Sequence, residues 1–519
     1  MSVLEKANEK PKVRLITAGL LLGLVLSSVD QTIVSTAMPT ILNELGGLSL
    51  YSWVFAIYML ASTTAMPLYG KLADLFGRRK MYLIGLFLFL AGSALCGMAG
   101  TMEQLIVFRG IQGLGAGALM PIAFTIIGDI YPPDKIGRFQ GLFGAVFAVS
   151  SILGPAAGGF IAEHVSWNWI FYLNLPIGIP GFLILATALK ERKNEERRPI
   201  DWLGAITLSG AIVSSLLALV LTGDKPGTEV PYHWGRPEII GLFSIGMILL
   251  GLFVWIETKA KEPIIPLHLF KFRVIAFGNI AGFFVSAGLF SAIAYLPLFV
   301  QGVIGVSPSV AGYILTPLML STVVTSTIGG RLMSKVSYRA ILVPSLAFMA
   351  AGYLCLSQMS VDTSILQIVL CMIIVGLGMG AVYPTLGTAA VRAVGFQLRG
   401  VATASSQFFR SIGGMIGVSV LGSLMTQRMA SGVRQLGEQE AALPVSNLSA
   451  DQLQSLVNPQ LLLDSDARAS LPPEALAGLQ HVFSDSLGSV FLIGLLFICV
   501  ALLACVFMGG ERLVAPEEK

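Results

Sequence analysis

Three side chains combine a formal charge with a position deep inside an apolar run: Asp30, Arg109 and Arg410. A charge in such surroundings is costly unless it has a partner or a task, so each is a functional candidate. The chemistry open to them is narrow. Asp30 can take up and release a proton, and Arg109 can hold or release its carboxylate. A free aspartate titrates near about 3.9, too low to exchange protons around neutrality. Burial raises that value and a neighbouring arginine lowers it. A carboxylate that approaches and leaves an arginine therefore changes its proton affinity with conformation. A permanent structural ion pair is the simpler alternative. Arg410 has no partner evident in the sequence, where backbone carbonyls or a lipid headgroup are the acceptors at hand.

The elements that position these residues follow from composition. Of 519 residues, 55% are apolar and only 12% charged, with a mean hydropathy of +0.80. Soluble proteins average about 25% charged residues. This excludes a soluble multidomain enzyme, a disordered chain and a fibrous repeat, and leaves a polytopic membrane protein. Apolar runs long enough to cross a bilayer fall near 14–37, 51–69, 81–99, 104–127, 139–162, 169–189, 202–222, 238–257, 274–300, 309–331, 340–358, 364–388, 402–425 and 488–508, fourteen in all. The first begins after Lys6, Lys10, Lys12 and Arg14 and lacks a small-residue cleavage site, so it reads as a spanning helix and not a cleaved signal.

The basic residues orient these spans. With a cytoplasmic N-terminus, the external connections hold five of the 33 Lys and Arg and the spans two, which leaves 26 on the cytoplasmic side. That bias matches the positive-inside rule and places both termini in the cytoplasm of a cell-membrane protein. On this topology Asp30 lies about nine residues from the external end of span 1 and Arg109 about six from that of span 4, so their depths agree within a helical turn. The last external segment, 426–487, is net acidic and reads as a variable surface loop, with short helices over the external face as the alternative.

The chain repeats itself. Gly113-Leu-Gly-Ala-Gly-Ala-Leu-Met-Pro121 recurs 263 residues later as Gly376-Leu-Gly-Met-Gly-Ala-Val-Tyr-Pro384, and Gly70-Lys71-Leu72 recurs 260 residues later as Gly330-Arg331-Leu332. Both copies run in the same direction, which predicts parallel repeats of six spans. The expected fold is all-α: two pseudo-symmetric six-helix bundles, 1–190 and 263–519, with a linker and an inserted two-helix hairpin over 191–262.

Other chemistries find little support. The five cysteines lie in apolar runs with no CxxC pair, and the four histidines are scattered, so no metal site is expected. There is no paired nucleophile and base and no Walker loop, so neither enzyme nor cofactor is expected. Gly113-x-Gly-x-Gly117 follows no strand and sits mid-membrane, where small residues serve close helix packing instead of nucleotide binding. A net charge of +4 gives no reason to expect nucleic-acid partners.

The loop Gly70-Lys-Leu-Ala-Asp-Leu-Phe-Gly-Arg-Arg-Lys80 closely resembles the signature loop of the major facilitator superfamily. Fourteen spans narrow the resemblance to its 14-helix drug:proton antiporter branch. Asp30-Gln-Thr-Ile-Val-Ser-Thr-Ala-Met-Pro39, Arg109-Gly-Ile-Gln-Gly113, Gly154-Pro155-Ala-Ala-Gly158-Gly159, Trp167-Asn-Trp-Ile-Phe-Tyr-Leu-Asn-Leu-Pro176 and Asp201-Trp-Leu-Gly204 are similar to further motifs of that branch. Asn168 stands where an arginine is usual, and Ser334 where the second repeat would match Asp74.

The resemblance implies a proton-coupled multidrug antiporter working by alternating access. It implies a conformational latch around Gly70, Asp74, Gly77 and Arg78, with Asp129 and Arg138 as partners, and a hinge or seal at Gly154, Pro155, Gly158 and Gly159. Asp74 can pair with Arg78 or cap a neighbouring helix, and Gly154-Pro155 can kink its span. By analogy the substrate path runs between the halves, past Trp53, Tyr58, Gln112, Phe283, Phe284, Phe290, Tyr295, Tyr313, Tyr383, Gln407, Phe408 and Phe409. Aromatic faces suit lipophilic cations, although core packing is the simpler role for any single ring. Spans 2, 10 and 13 carry no acid in their cores, which predicts neutral or monovalent cationic substrates. Small lipophilic molecules, protons and membrane lipids are the expected partners of a monomer. Export of one endogenous metabolite or lipid, or a transport-inactive sensor or scaffold, are the competing readings.

Overall fold

The computed structural model describes residues 3–46, 50–131, 157–189, 201–221, 235–306, 314–333, 335–439 and 473–509, with seven isolated positions between 139 and 154. Every regular element among the described residues is helical. In chain order the helices are α1 (Val3–Leu45), α2 (Tyr51–Phe76), α3 (Arg78–Gly97), α4 (Met102–Ile130), α5 (Asn168–Tyr172), α6 (Asn174–Ala188), α7 (Trp202–Leu221), α8 (Pro237–Glu257), α9 (Arg273–Phe299), α10 (Thr316–Leu332), α11 (Tyr338–Ser357), α12 (Ile365–Met379), α13 (Val382–Arg392), α14 (Arg399–Gln439) and α15 (Pro473–Phe507).

Among the described residues eleven helical segments are long and apolar enough to cross a membrane, and the chain is a multi-pass membrane protein. Helix is the form these runs must take, because lipid offers no hydrogen bonds to an open backbone. α2 and α10 are less apolar and rich in hydroxyls. Several of those hydroxyls return to their own backbone: Ser62 to the Met59 carbonyl at 3.1 Å, Ser321 to Pro317 at 2.8 Å and Thr322 to Leu318 at 2.8 Å. Eleven of the 24 residues of the run 139–162, Pro155 among them, lie outside the described residues, as do Arg138 and Tyr313.

The segment 426–487 needs a correction. α14 continues to Gln439 and α15 begins at Pro473, so helix occupies both ends and only residues 440–472 remain. The cause is packing: Met429 and Val433 on one side, and Leu479, Phe483 and Leu487 on the other, are buried in the same core.

Apolar side chains segregate by sequence. One core is drawn wholly from residues 274–508, and two others wholly from residues 16–185. A fourth joins Leu60 of α2, Leu208, Ile212, Leu216 and Leu219 of α7, Phe253 of α8 and Phe408 of α14. The α7–α8 pair therefore leans on the place where α2 meets α14.

The repeated glycine motif packs alike in both copies. A Cβ on Gly113 or Gly117 of α4 would strike the backbone carbonyl of Tyr58 or Ser62 of α2, each at 2.6 Å. Gly376 and Gly380 stand in the same relation to the carbonyls of Leu318 and Thr322 of α10, each 260 residues beyond its counterpart. The middle glycines, Gly115 and Gly378, press on the backbone of Phe89 in α3 and Met349 in α11. Small residues at this spacing let helix backbones touch.

Candidate functional site

Asp30 on α1 is fully buried, and α4 and α6 send polar groups to it. Its Oδ2 accepts from Arg109 Nη1 at 2.6 Å; its Oδ1 accepts from Gln112 Nε2 at 2.8 Å and Asn174 Nδ2 at 3.3 Å. Arg109 and Gln112 are three residues apart on α4 and so share a face, where Arg109 Nη1 also donates to Gln112 Oε1 at 2.9 Å. Asn174, at the start of α6, donates to Ser93 Oγ of α3 at 2.9 Å, and Ser93 donates to the Phe171 carbonyl at 2.8 Å. The Tyr58 ring of α2 lies 4.2 Å from the Arg109 guanidinium carbon, in cation–π range. Donors from α4 and α6 thus meet the α1 carboxylate, and α2 and α3 hold those donors in place. All three of its donors complement an ionised acid. A proton on Oδ2 would turn an acceptor facing a guanidinium into a donor, so proton uptake there requires Arg109 to draw away.

A second constellation surrounds the α2–α3 turn. Gly77 makes that turn at φ +96°, a conformation that favours glycine. Asp74 Oδ1 accepts the backbone N–H of Gly400 at 3.0 Å and Oδ2 that of Val401 at 2.9 Å. These amides belong to the first turn of α14, where N–H groups lack helical partners and the helix dipole favours a negative charge. Arg78 Nη2 lies 3.6 Å from Asp74 Oδ1 and Arg78 also contacts Asp129 of α4. Arg399 Nη1 meets Asp129 Oδ1 at 2.9 Å. Lys71 Nζ meets Glu262 Oε2, beyond α8, at 2.8 Å. A Cβ on Gly70 would strike the Ala404 side chain, and one on Gly400 would come within 2.6 Å of the Gly70 carbonyl, so the two backbones meet directly. Burial pushes the Asp74 carboxyl up to about 6, while the Val401 amide, the Arg78 charge and the Gly400 amide pull it back.

The join between α14 and the early helices continues inward. Gln407 Nε2 donates to Met120 Sδ of α4 at 3.5 Å, and Ser411 Oγ to Met66 Sδ of α2 at 3.7 Å. A small cavity that Gln407 helps to line opens between α4, α13 and α14. Of the glycines at 154–159, Gly154 and Gly158 abut Thr32 and Thr36 of α1, whereas a Cβ on Gly159 would meet nothing. Thr32 Oγ1 donates to the Ser150 carbonyl at 3.0 Å and ties the same two segments together.

The residues proposed for one substrate path do not share a surface. Tyr58 and Gln112 belong to the Asp30 network. Phe284 packs on Phe283 and on Phe497 of α15, with ring centroids 5.1 and 5.8 Å apart, because it lies on the α9 face turned to α15. Tyr295 donates to the Val418 carbonyl at 2.6 Å and is buried in the later core. Phe408 joins the apolar cluster with α7, and Phe290 lies against Gly414. Phe409 packs on Phe408 and Phe270, and Trp53 is half-buried on α2. Only Tyr383 and Gln407 line the cavity beside α4.

Other site members were missed. Ser93 and Asn174 interrupt apolar runs, which is a readable signal. Gly400 and Val401 act through backbone amides, which leave no signature. Trp167, within the quoted motif, donates to Glu44 at the end of α1 at 2.8 Å, and Asn168 donates to the Gly97 carbonyl at 2.7 Å.

The family model for the Major Facilitator Superfamily matches residues 20–418. The chain is 42% identical to the multidrug transporter protein MdtP of Bacillus subtilis, over 98% of this chain and 95% of that protein. It is 39% identical to multidrug resistance protein 3 of the same organism, over 98% of both chains. The fold resembles the proton:xylose symporter XylE, with a TM-score of 0.57 at 15% identity over 96% of each chain. It also resembles the human organic anion transporter MFSD10, with a TM-score of 0.59 at 14% identity over 94% of this chain and 99% of that one. The chain belongs to the Major Facilitator Superfamily, and it is a membrane transporter, not an enzyme.

Proposed function

We propose that this transporter exports lipophilic small molecules, neutral or monovalently cationic, in exchange for protons. The observation that carries the reading is the buried Asp30 with its three donors, Arg109, Gln112 and Asn174. A single acid in an apolar core, paired to a cation on a different helix, has two states: paired and ionised, or parted and able to take a proton. Relative movement of α1 and α4 converts one into the other. Substrate export is supported by the names of the two Bacillus subtilis relatives.

In this reading the chain has fourteen spans, arranged as two six-helix bundles (1–190 and 263–519) around an inserted pair. Its termini are cytoplasmic, in the cell membrane, and it works as a monomer. The contacts of Asp74, Arg78, Asp129 and Lys71 then form a cytoplasmic latch, and the conformation is closed toward the cytoplasm. Alternating access breaks this latch as the bundles tilt. Gly154 and Gly158 keep α1 against the fifth span while they do so.

The test is efflux in proteoliposomes under an imposed pH gradient. Wild type is expected to move a monovalent lipophilic dye against its gradient. Asp30→Asn is expected to lose this uphill movement but retain dye exchange at equilibrium. Uphill transport of normal rate by Asp30→Asn contradicts the coupling role.

A further inference from the structure

Arg410 is the intramembrane charge that the proton reading leaves unused. It lies 11 residues into α14, about 16 Å from the start of that helix, which is mid-depth in a hydrocarbon layer of about 30 Å. Its stem runs past Gly282 of α9, and its guanidinium carbon stands 4.4 Å from the Tyr383 ring centroid. Tyr383 is itself fixed by a 2.6 Å hydrogen bond with Ser286. Among the described residues no carboxylate pairs with Arg410, and α9, α10, α12 and α13 contain no Asp or Glu. Nor is it the repeat's copy of Arg109, whose place 263 residues later holds Met372.

Arg410 faces a space whose lining is mostly apolar but carries a few polar groups. With Tyr383, Thr388 and Gln407 it lines the small cavity whose opposite wall is Phe124 and Gly128 of α4. Thr388 is 1% exposed and its Oγ1 has no hydrogen-bond partner. The Gln407 amide has only the sulfur of Met120 as an acceptor, and thioether sulfur accepts weakly. Three donors thus converge without an anion. Arg410 is half-buried at membrane depth, and a cation–π contact offsets only part of the cost of a guanidinium there. The cavity also lies at the join between the early and late helices, where the proposed substrate path runs.

We propose that Arg410, Gln407 and Thr388 form a subsite for the carboxylate of a lipophilic substrate. This rests on the export reading and widens its substrate class to lipophilic zwitterions and monoanions. A planar guanidinium suits a carboxylate through paired N–H donors, and the Tyr383 ring holds it in place.

The experiment compares binding of a rhodamine dye with a free carboxylate and of its methyl ester, by fluorescence anisotropy with the full-length transporter in nanodiscs. Wild type is expected to bind the acid about tenfold more tightly than the ester, equivalent to about 1.4 kcal/mol. Arg410→Gln is expected to remove that preference by weakening the acid while leaving the ester within about twofold. Arg410→Lys keeps the charge without the fork and should retain part of it. Equal binding of acid and ester by wild type, or an equal loss of both in Arg410→Gln, overturns the subsite. Should either variant fold poorly, the wild-type comparison alone decides.

Two further arms separate other sources of an anion. Replacing chloride by gluconate, and phosphatidylglycerol by phosphatidylcholine, should leave the acid preference in place. A preference that appears only when chloride or anionic lipid is removed assigns the site to that ion or headgroup and overturns the proposal. Failure of wild type to bind either dye contradicts the export reading itself, whereas binding of the ester without preference for the acid contradicts only the subsite.

Discussion

The carboxylate of Asp74 on α2 accepts the backbone N–H of Gly400 on α14 at 3.0 Å, so a side chain from the early helices caps a helix more than 300 residues later. Val401 fills the second oxygen. This cap joins the two parts of the chain by charge and helix dipole together, and it titrates.

The pH dependence has a definite sign. In the latched state burial pushes the Asp74 carboxyl up to about 6. Once α2 and α14 part, the group is hydrated and returns to about 3.9. The latched state therefore binds the proton more tightly, and acidification favours it. The gain is absent well above pH 6, grows as the pH falls through 6, and levels off near about 4, at no more than about 3 kcal/mol. Spin labels at the exposed positions Phe76 and Gln397 should show more of the short distance at pH 5 than at pH 7.5. Asp74→Asn should remove that dependence; a dependence of the opposite sign contradicts the assignment.

Gly70 and Gly400 set how closely α2 and α14 approach. A side chain at either position meets the other's backbone. Gly70→Val should lengthen the same label distance and leave the Asp30 network untouched, because the strain falls at the latch alone. An unchanged distance with full transport activity shows that the approach is not needed.

Removing Arg109 leaves the Asp30 charge buried without its cation, a loss of the kind that costs roughly 3–5 kcal/mol. Arg109→Ala should lower the thermal unfolding temperature in detergent substantially. Arg109→Lys should lower it less, since it restores charge but not the shared donation to Asp30 and Gln112. Equal stability of Arg109→Ala and wild type shows that the pair is not a stabilising contact in this state.

What the sequence discloses here depends on the kind of interaction. The meeting of Asp30 and Arg109 was legible because helix rise converts residue counts into depth. The packing of Gly113 and Gly376 was legible because both copies place glycines at one spacing. The pairing of Asp74 with Arg78 and its capping role were legible, but not which helix it caps, because Gly400 and Val401 contribute only backbone. The core packing of Phe284 and Tyr295 was hidden for another reason. A span that is apolar all round has no polar stripe, so its sequence cannot tell the path-facing side from the core-facing side. The helical ends of 426–487 were hidden by their polar residues, such as the exposed Gln427, Arg428 and Arg434 beside the buried Met429 and Val433.

The most direct measurement of proton exchange at Asp30 is proton release on substrate addition, read by a pH indicator in weakly buffered detergent solution. Wild-type protein, loaded with protons at mildly acid pH, should release them when a monovalent lipophilic cation is added. Asp30→Asn, which keeps an amide oxygen facing Arg109, should bind the same cation and release none. Release of the wild-type amount from Asp30→Asn would contradict the account.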